Sequence, residues 1–202
     1  MTTKYFQFIG LAVVLAMPSS LAAATFDFTS RLDSAQASSQ GASDAWGEAQ
    51  LSVDSVTESL SFALTVIGIS LDDLADAFVD GANAALGPIH LHDGDLGQNG
   101  PVVVPFPFDS SYSSSTSGGF QLVVDDYAYA DAVAISGSTL SFDEYLADLQ
   151  RGGSYINVHT DAYVSGEIRG QLSPEVAPVP LPAGLPLLLA SLGGLAFLRR
   201  KR

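Results

Sequence analysis

The stretch Ala45-Trp46-Gly47-Glu48-Ala49-Gln50-Leu51-Ser52-Val53-Asp54-Ser55-Val56-Thr57-Glu58-Ser59-Leu60-Ser61-Phe62-Ala63-Leu64-Thr65-Val66-Ile67-Gly68-Ile69 decides the fold class. In its first arm Ala49, Leu51 and Val53 recur every second residue. In its second arm Leu60, Phe62, Leu64 and Val66 do the same. A strand turns successive side chains to opposite faces, so each arm presents one apolar face. Two such runs around the polar turn at Asp54-Ser55 predict an antiparallel hairpin.

Outward from this hairpin the same punctuation continues. Thr25 to Ser30 alternates through Phe26 and Phe28, and Gln36 to Ser43 is small and polar, as a loop is. Leu71 to Leu86 mixes helical spacing (Leu71, Leu74, Phe78) with breaks, which predicts a short helix or an irregular connection ended by Gly87-Pro88. Ile89 to His92 reads as a short strand, then Asp93 to Gly100 as turns. Pro101 to Phe108 is extended, with prolines that suit a sheet edge. Asp109 to Gly119 is a serine-rich loop, and Phe120 to Tyr129 another strand. Ser141 to Gln150 is the clearest helix: Ser141 and Glu144 form a capping box, and Phe142, Tyr145, Leu146 and Leu149 share a face. Tyr155 to His159 and Glu167 to Leu172 complete the strands. The expectation is a mainly β protein, an antiparallel sandwich or barrel with one or two short helices over residues 25–173.

The two ends are of a different kind. Lys4, the apolar run Ile9 to Met17, Pro18 and the small residues Ala22-Ala23-Ala24 have the form of a signal peptide over residues 1–24, cleaved after Ala24 with Ala22 and Ala24 facing the peptidase. At the other end a proline-rich linker, 174–182, precedes an apolar run from Ala183 to Leu198 and the basic end 199–202. Sixteen helical residues rise about 24 Å against a hydrocarbon core of about 30 Å, so the run can just span with Leu181 and Pro182 helping. Its arginines belong on the cytoplasmic side. The expected course is export, an inner-membrane intermediate, then the cell surface or the medium.

Charge narrows the partners. All 22 acidic residues lie between Asp27 and Glu175, where Arg31, Arg151 and Arg169 are the basic residues, giving −19 against −14 for the whole chain. Such a surface repels nucleic acid and anionic lipid and favours solubility. The chain has no cysteine, so thiol catalysis, thiolate metal sites and disulfides are excluded and the core alone must hold the domain. No Gly-x-Ser-x-Gly elbow and no phosphate-binding glycine loop is present.

The chemistry that remains lies in three histidines. In Ile89-His90-Leu91-His92 the two imidazoles point to one side of a strand and the aliphatic residues to the other. In Tyr155-Ile156-Asn157-Val158-His159 the ring of His159 likewise opposes Ile156 and Val158. If the two strands are neighbours, His90, His92 and His159 converge, and neutral imidazoles suit zinc or copper. Ring nitrogens more than about 5 Å apart would exclude a preformed site, given metal–nitrogen bonds of about 2.0–2.1 Å. Otherwise the three rings are solvated residues of a polar face. Asp93, Asp95 and Asp161 stand close by in sequence, as outer partners of the rings or as a weak calcium loop. Arg169 is expected to make a cross-strand ion pair with a carboxylate.

Pro88-Ile89-His90-Leu91-His92 running into Gly97-Gln98-Asn99-Gly100-Pro101-Val102-Val103, then Gly153 to Thr160, then Gly166-Glu167-Ile168-Arg169-Gly170-Gln171-Leu172 resemble, in order, the blocks of the CHRD (chordin-type) domain. That resemblance implies a β-rich fold and an extracellular role without an established catalytic activity. The tail Val179-Pro180-Leu181-Pro182-Ala183-Gly184 resembles the PEP-CTERM sorting signal in its VPLPA-CTERM form. It implies recognition by an exosortase-type transpeptidase in a bacterium that makes exopolysaccharide. His-x-His followed by Asp-Gly-Asp is also similar to the copper strand of Cu,Zn superoxide dismutases, whose binuclear site needs more than three histidines. The sequence therefore leads to a non-enzymatic surface or matrix protein, met by signal peptidase, exosortase and an exopolysaccharide or surface-protein partner. The alternative is a mononuclear zinc or copper domain, redox-active or not.

Overall fold

The computed structural model describes residues 25–37, 43–116 and 118–175. The expected signal peptide with Ala22 and Ala24, and the sorting motif Val179 to Gly184 with the apolar tail, lie outside them. Among the described residues no helix is long and apolar enough to cross a membrane.

The hairpin forms as its alternation requires. β2 (Trp46–Asp54) pairs antiparallel with β3 (Ser59–Ile67), with Leu51 opposite Phe62 and Ala49 opposite Leu64. β1 (Thr25–Asp33) adds to β2 along its whole length, burying Phe28 and Leu32 on the same side. The remaining strands are β4 (Ile89–Asp93), β5 (Val102–Phe106), β6 (Tyr112–Ser115), β7 (Gly119–Ala128), β8 (Ser154–Val158), β9 (Ile168–Gln171) and the two-residue β10 (Ser173–Pro174). All join one antiparallel sheet in the order β5-β4-β8-β9-β1-β2-β3-β7-β6, with β10 on β1. Of the expected sandwich or barrel, the second is nearer: one sheet is curled into a half-barrel. Curling brings distant strands face to face: the Phe62 and Phe106 rings stack at 4.6 Å, and the Tyr112 hydroxyl on one edge strand donates to the Phe106 carbonyl on the other at 2.7 Å.

Prolines predicted an edge at β5, and β5 is one. The serine-rich segment is not simply a loop. It contains β6, which pairs with β7 and buries Tyr112. Two short helices close the core, α2 (Tyr129–Ser136) and α3 (Phe142–Gln150). The α3 cap matches its sequence signature: Glu144 N donates to Ser141 Oγ at 3.3 Å, and Ser141 N donates to Glu144 Oε2 at 2.9 Å. Ser141→Ala should therefore cost about 1 kcal/mol, read by urea denaturation, and unchanged stability would show the cap to be redundant.

The segment 71–87 is irregular, as expected: a 3-10 turn at Leu71–Asp73, a four-residue helix α1 (Asp76–Val79), then turns to Gly87. Gly87, at φ +73°, starts β4; a Cβ there would lie 1.7 Å from the Phe106 carbonyl oxygen, so the next strand can approach only a glycine. This connection lies across the outer face of β4 and β8, which decides the environment of the histidines.

Candidate metal centre

β4 and β8 are neighbours, with His90 opposite Asn157 and His92 opposite Tyr155. β8 pairs in turn with β9, placing Asn157 opposite Arg169 and Tyr155 opposite Gln171. Strand alternation therefore gathers His90, His92, Tyr155, Asn157, His159, Arg169 and Gln171 on one face. His159 continues the β8 ladder, its N–H donating to the Pro88 carbonyl at 2.9 Å. The apolar partners Ile89, Leu91, Ile156 and Val158 turn to the core.

The face is polar but not solvated, contrary to the plain reading of its sequence. Relative exposures are 1% for His90, 9% for His92, 6% for His159, 7% for Asn157 and 3% for Arg169. The covering pieces are chain segments rather than secondary structure. Phe78 of α1 packs on His90 and His159, with ring centroids 5.2 and 4.7 Å away. The turns at 93–100 close the other side.

One nitrogen from each imidazole lies within 4.8 Å of those of the other two. His90 Nδ1 and His92 Nε2 are 3.3 Å apart, about the edge of a tetrahedron with bonds of 2.0–2.1 Å. Two nitrogens sharing one ion with such bonds are at most about 4.2 Å apart, so no pair need close by more than about 0.6 Å to coordinate. His92 Nδ1 lies 2.9 Å from the Gly100 carbonyl and His159 Nδ1 lies 2.7 Å from that of Val164. A carbonyl only accepts, so both Nδ1 atoms carry hydrogen and both Nε2 atoms present lone pairs. Backbone carbonyls thus orient the rings, as outer-sphere partners of metal ligands do. Asn157 Nδ2 donates to His159 Nε2 and to the Ser165 carbonyl, each at 3.2 Å. Three buried atoms on this face, His90 Nε2, Asn157 Oδ1 and Gln171 Oε1, have no hydrogen-bond partner among the described residues.

Burial keeps the rings neutral. It pushes His90 down to about 2, helped by His159 and His92 and opposed by the Gly87 backbone. It takes His92 down to about 4, against the Gly100 carbonyl and with His159 and Arg169 pushing the same way. His159 is lowered by burial too, against its Val164 contact. Neutral imidazoles with aimed lone pairs are ready donors for one soft or borderline ion.

Other expectations change. The acidic neighbours do not support the rings: Asp95 and Asp148 bind Arg151, and Asp161 accepts from the Asp76 N–H at 2.9 Å. Asp93 is raised by burial and by Asp148 beside it. Arg169 makes no ion pair among the described residues. Its Nη2 donates to the carbonyls of Gln98 (2.7 Å) and Asp95 (3.3 Å), and its Nη1 to Asn99 Oδ1 (3.2 Å). Its guanidinium lies 3.3 Å from the centre of the Tyr155 ring, which is parallel to His92 at 4.7 Å. Tyr155, Asn157, Phe78 and Arg169 are thus site residues that a search for ligand types passes over. The first two were legible as positions i−4 and i−2 from His159 on the same strand face.

Gly166 seats this arrangement. Its φ is +113°, and an added Cβ would fall 2.1 Å from Asn157 Oδ1. Gly166→Ala should displace Asn157 and destabilise the fold by about 2 kcal/mol, visible as a lower melting temperature. Wild-type melting would show that the Asn157 seat is not needed.

A curled antiparallel half-barrel with a buried imidazole cluster on its outer face defines a non-disulfide β-domain with a ligand-type site. A model of the CHRD domain matches residues 28–172, and the chain belongs to that family. No curated protein and no solved structure matches it.

Proposed function

We propose that the protein is exported, sorted through its tail and displayed at the cell surface or in the surrounding matrix, where its CHRD domain acts without catalysis. The observation that carries this reading is the CHRD domain at residues 28–172 placed between a signal-like amino-terminal sequence and a VPLPA-type tail sequence. CHRD domains occur in extracellular and secreted proteins, which is consistent with export. Signal peptidase would act after Ala24 and an exosortase-type transpeptidase near Val179 to Gly184, with an exopolysaccharide or a surface protein as the lasting partner. Mass spectrometry of the mature protein tests this: a carboxy-terminus near the Pro-rich motif is the expected result. An intact Arg202 on the mature chain would overturn the sorting step.

A second reading concerns the domain itself. His90, His92 and His159 hold one zinc or copper ion, as a clip between β4 and β8 rather than a catalytic centre. Three imidazoles with mutually reachable nitrogens and carbonyl-set tautomers support it. The exported protein should carry close to one equivalent of metal, and the variant with all three histidines changed to glutamine none. Equal metal in both proteins, or none in either after exposure to zinc and copper, would remove this reading.

A further inference from the structure

The charges around the three rings narrow the choice of ion. Their hydrogen-bond partners among the described residues are neutral: one another, the backbone of Gly87, the carbonyls of Gly100 and Val164 and the amide of Asn157. Among the described residues no carboxylate acts on any of the rings. The influences on them are burial, one another, backbone carbonyls and a single charged group, the Arg169 guanidinium. That group stacks on Tyr155, which stacks on His92. The nearby acids are engaged elsewhere: Asp95 and Asp148 with Arg151, Asp161 with the Asp76 backbone, and Glu167 with the hydroxyls of Ser43 and Thr160 at 2.5 and 2.7 Å.

A dication in this place would bring two uncompensated charges into a buried, cationic neighbourhood. The cost of burying an ion grows with the square of its charge, about fourfold from one charge to two. Zinc sites that manage this supply thiolates or a carboxylate, or keep an open position for hydroxide. Here the donors are three neutral nitrogens beneath the Phe78 ring. Sodium and potassium, although monovalent, want oxygen donors. Copper(I) is monovalent, accepts nitrogen donors, and has a filled d shell that imposes no fourth ligand.

Resting on the metal reading above, we propose that the His90, His92 and His159 cluster selects copper(I) over divalent ions, because the site carries no negative charge. Asn157 is the position at which that selection can be reversed. It lies 3.2 Å from His159 Nε2, and aspartate has its shape.

The test is a pair of chelator competitions on the mature exported protein, purified, stripped of metal and kept free of oxygen. One titration uses copper(I) against bicinchoninate and the other zinc(II) against a chromophoric zinc chelator. The expected result is one equivalent of copper(I) held at least about a hundredfold more tightly than zinc(II), with Asn157→Asp narrowing that ratio at least about tenfold. Circular dichroism of the variant confirms that it is folded. Zinc held as tightly as copper(I) by the unaltered chain, or a ratio unmoved in a folded Asn157→Asp protein, would overturn the inference and leave the metal reading standing. Binding of neither ion would remove the metal reading itself.

Discussion

Acidifying the metal-free protein from pH 6.5 to pH 5 is expected to remove about 2 kcal/mol of stability for each of His90 and His92, with His159 adding in the same direction. Burial pushes these two groups down to about 2 and about 4 from an ordinary value of 6.5. Between those values and 6.5 the unfolded chain binds protons that the folded chain refuses. Folding therefore weakens as pH falls through the window and is fully supported above it. A domain with an ordinary margin of 5–15 kcal/mol would approach unfolding near pH 5 to 4. One carboxylate opposes this trend: Asp93, raised by burial and by Asp148, favours the fold as it protonates. Asp54, Asp73 and Glu144 are held below their ordinary values by hydroxyl and backbone hydrogen bonds, so their contributions are lost only at lower pH. Urea midpoints at pH 7.5, 6.5, 5.5 and 5 on chelator-treated protein are the measurement. A flat profile would mean that the rings are protonated in the folded state and that the cluster is far wetter than its burial implies.

Replacing Arg169 with leucine should cost about 3 kcal/mol, the largest effect expected of a single side chain here. The guanidinium is 3% exposed and holds the turns at 93–100 through two carbonyls and Asn99. Those turns supply Gly100, whose N–H donates to the Tyr155 hydroxyl at 3.2 Å and whose carbonyl orients His92. Leucine takes their donor from the Gln98 carbonyl and Asn99 Oδ1, leaves the Asp95 carbonyl with the Gln98 N–H alone, and removes the cation from the Tyr155 face. Faster hydrogen exchange at Gly94, Gln98 and Gly100 should accompany the loss of stability. Arg169→Lys keeps the charge but not the planar fork, so it should recover only part of the difference. A leucine variant with unaltered melting and unaltered exchange would show that the turns hold themselves.

Much of this was legible along the chain because the signals are local. Alternation at Leu51, Val53, Leu60, Phe62 and Leu64 depends only on the two-residue period of a strand. The Ser141 and Glu144 cap depends on a three-residue spacing, and the edge position of β5 on its prolines. The helix α2 has no comparable mark. Its residues, Tyr-Ala-Asp-Ala-Val-Ala-Ile-Ser, carry β-branched side chains and no capping side chain, and it is a helix because Tyr129 and Ala132 pack into the core. The serine-rich strand β6 escaped notice for the same reason: one inward residue, Tyr112, ties it to the opposite edge.

The candidate site divides along the same line. Alternation alone put His90 and His92 on one strand face and His159 on the polar face of another, because side-chain direction along a strand is a property of the local backbone. That β4 and β8 are partners, that Phe78 and the 93–100 turns bury the face, and that Arg169 meets carbonyls instead of a carboxylate were decided only in the tertiary structure. Strand partners and covering loops are brought together by the closure of one curled sheet, across separations such as the 69 residues from His90 to His159, and no short-range pattern encodes that closure.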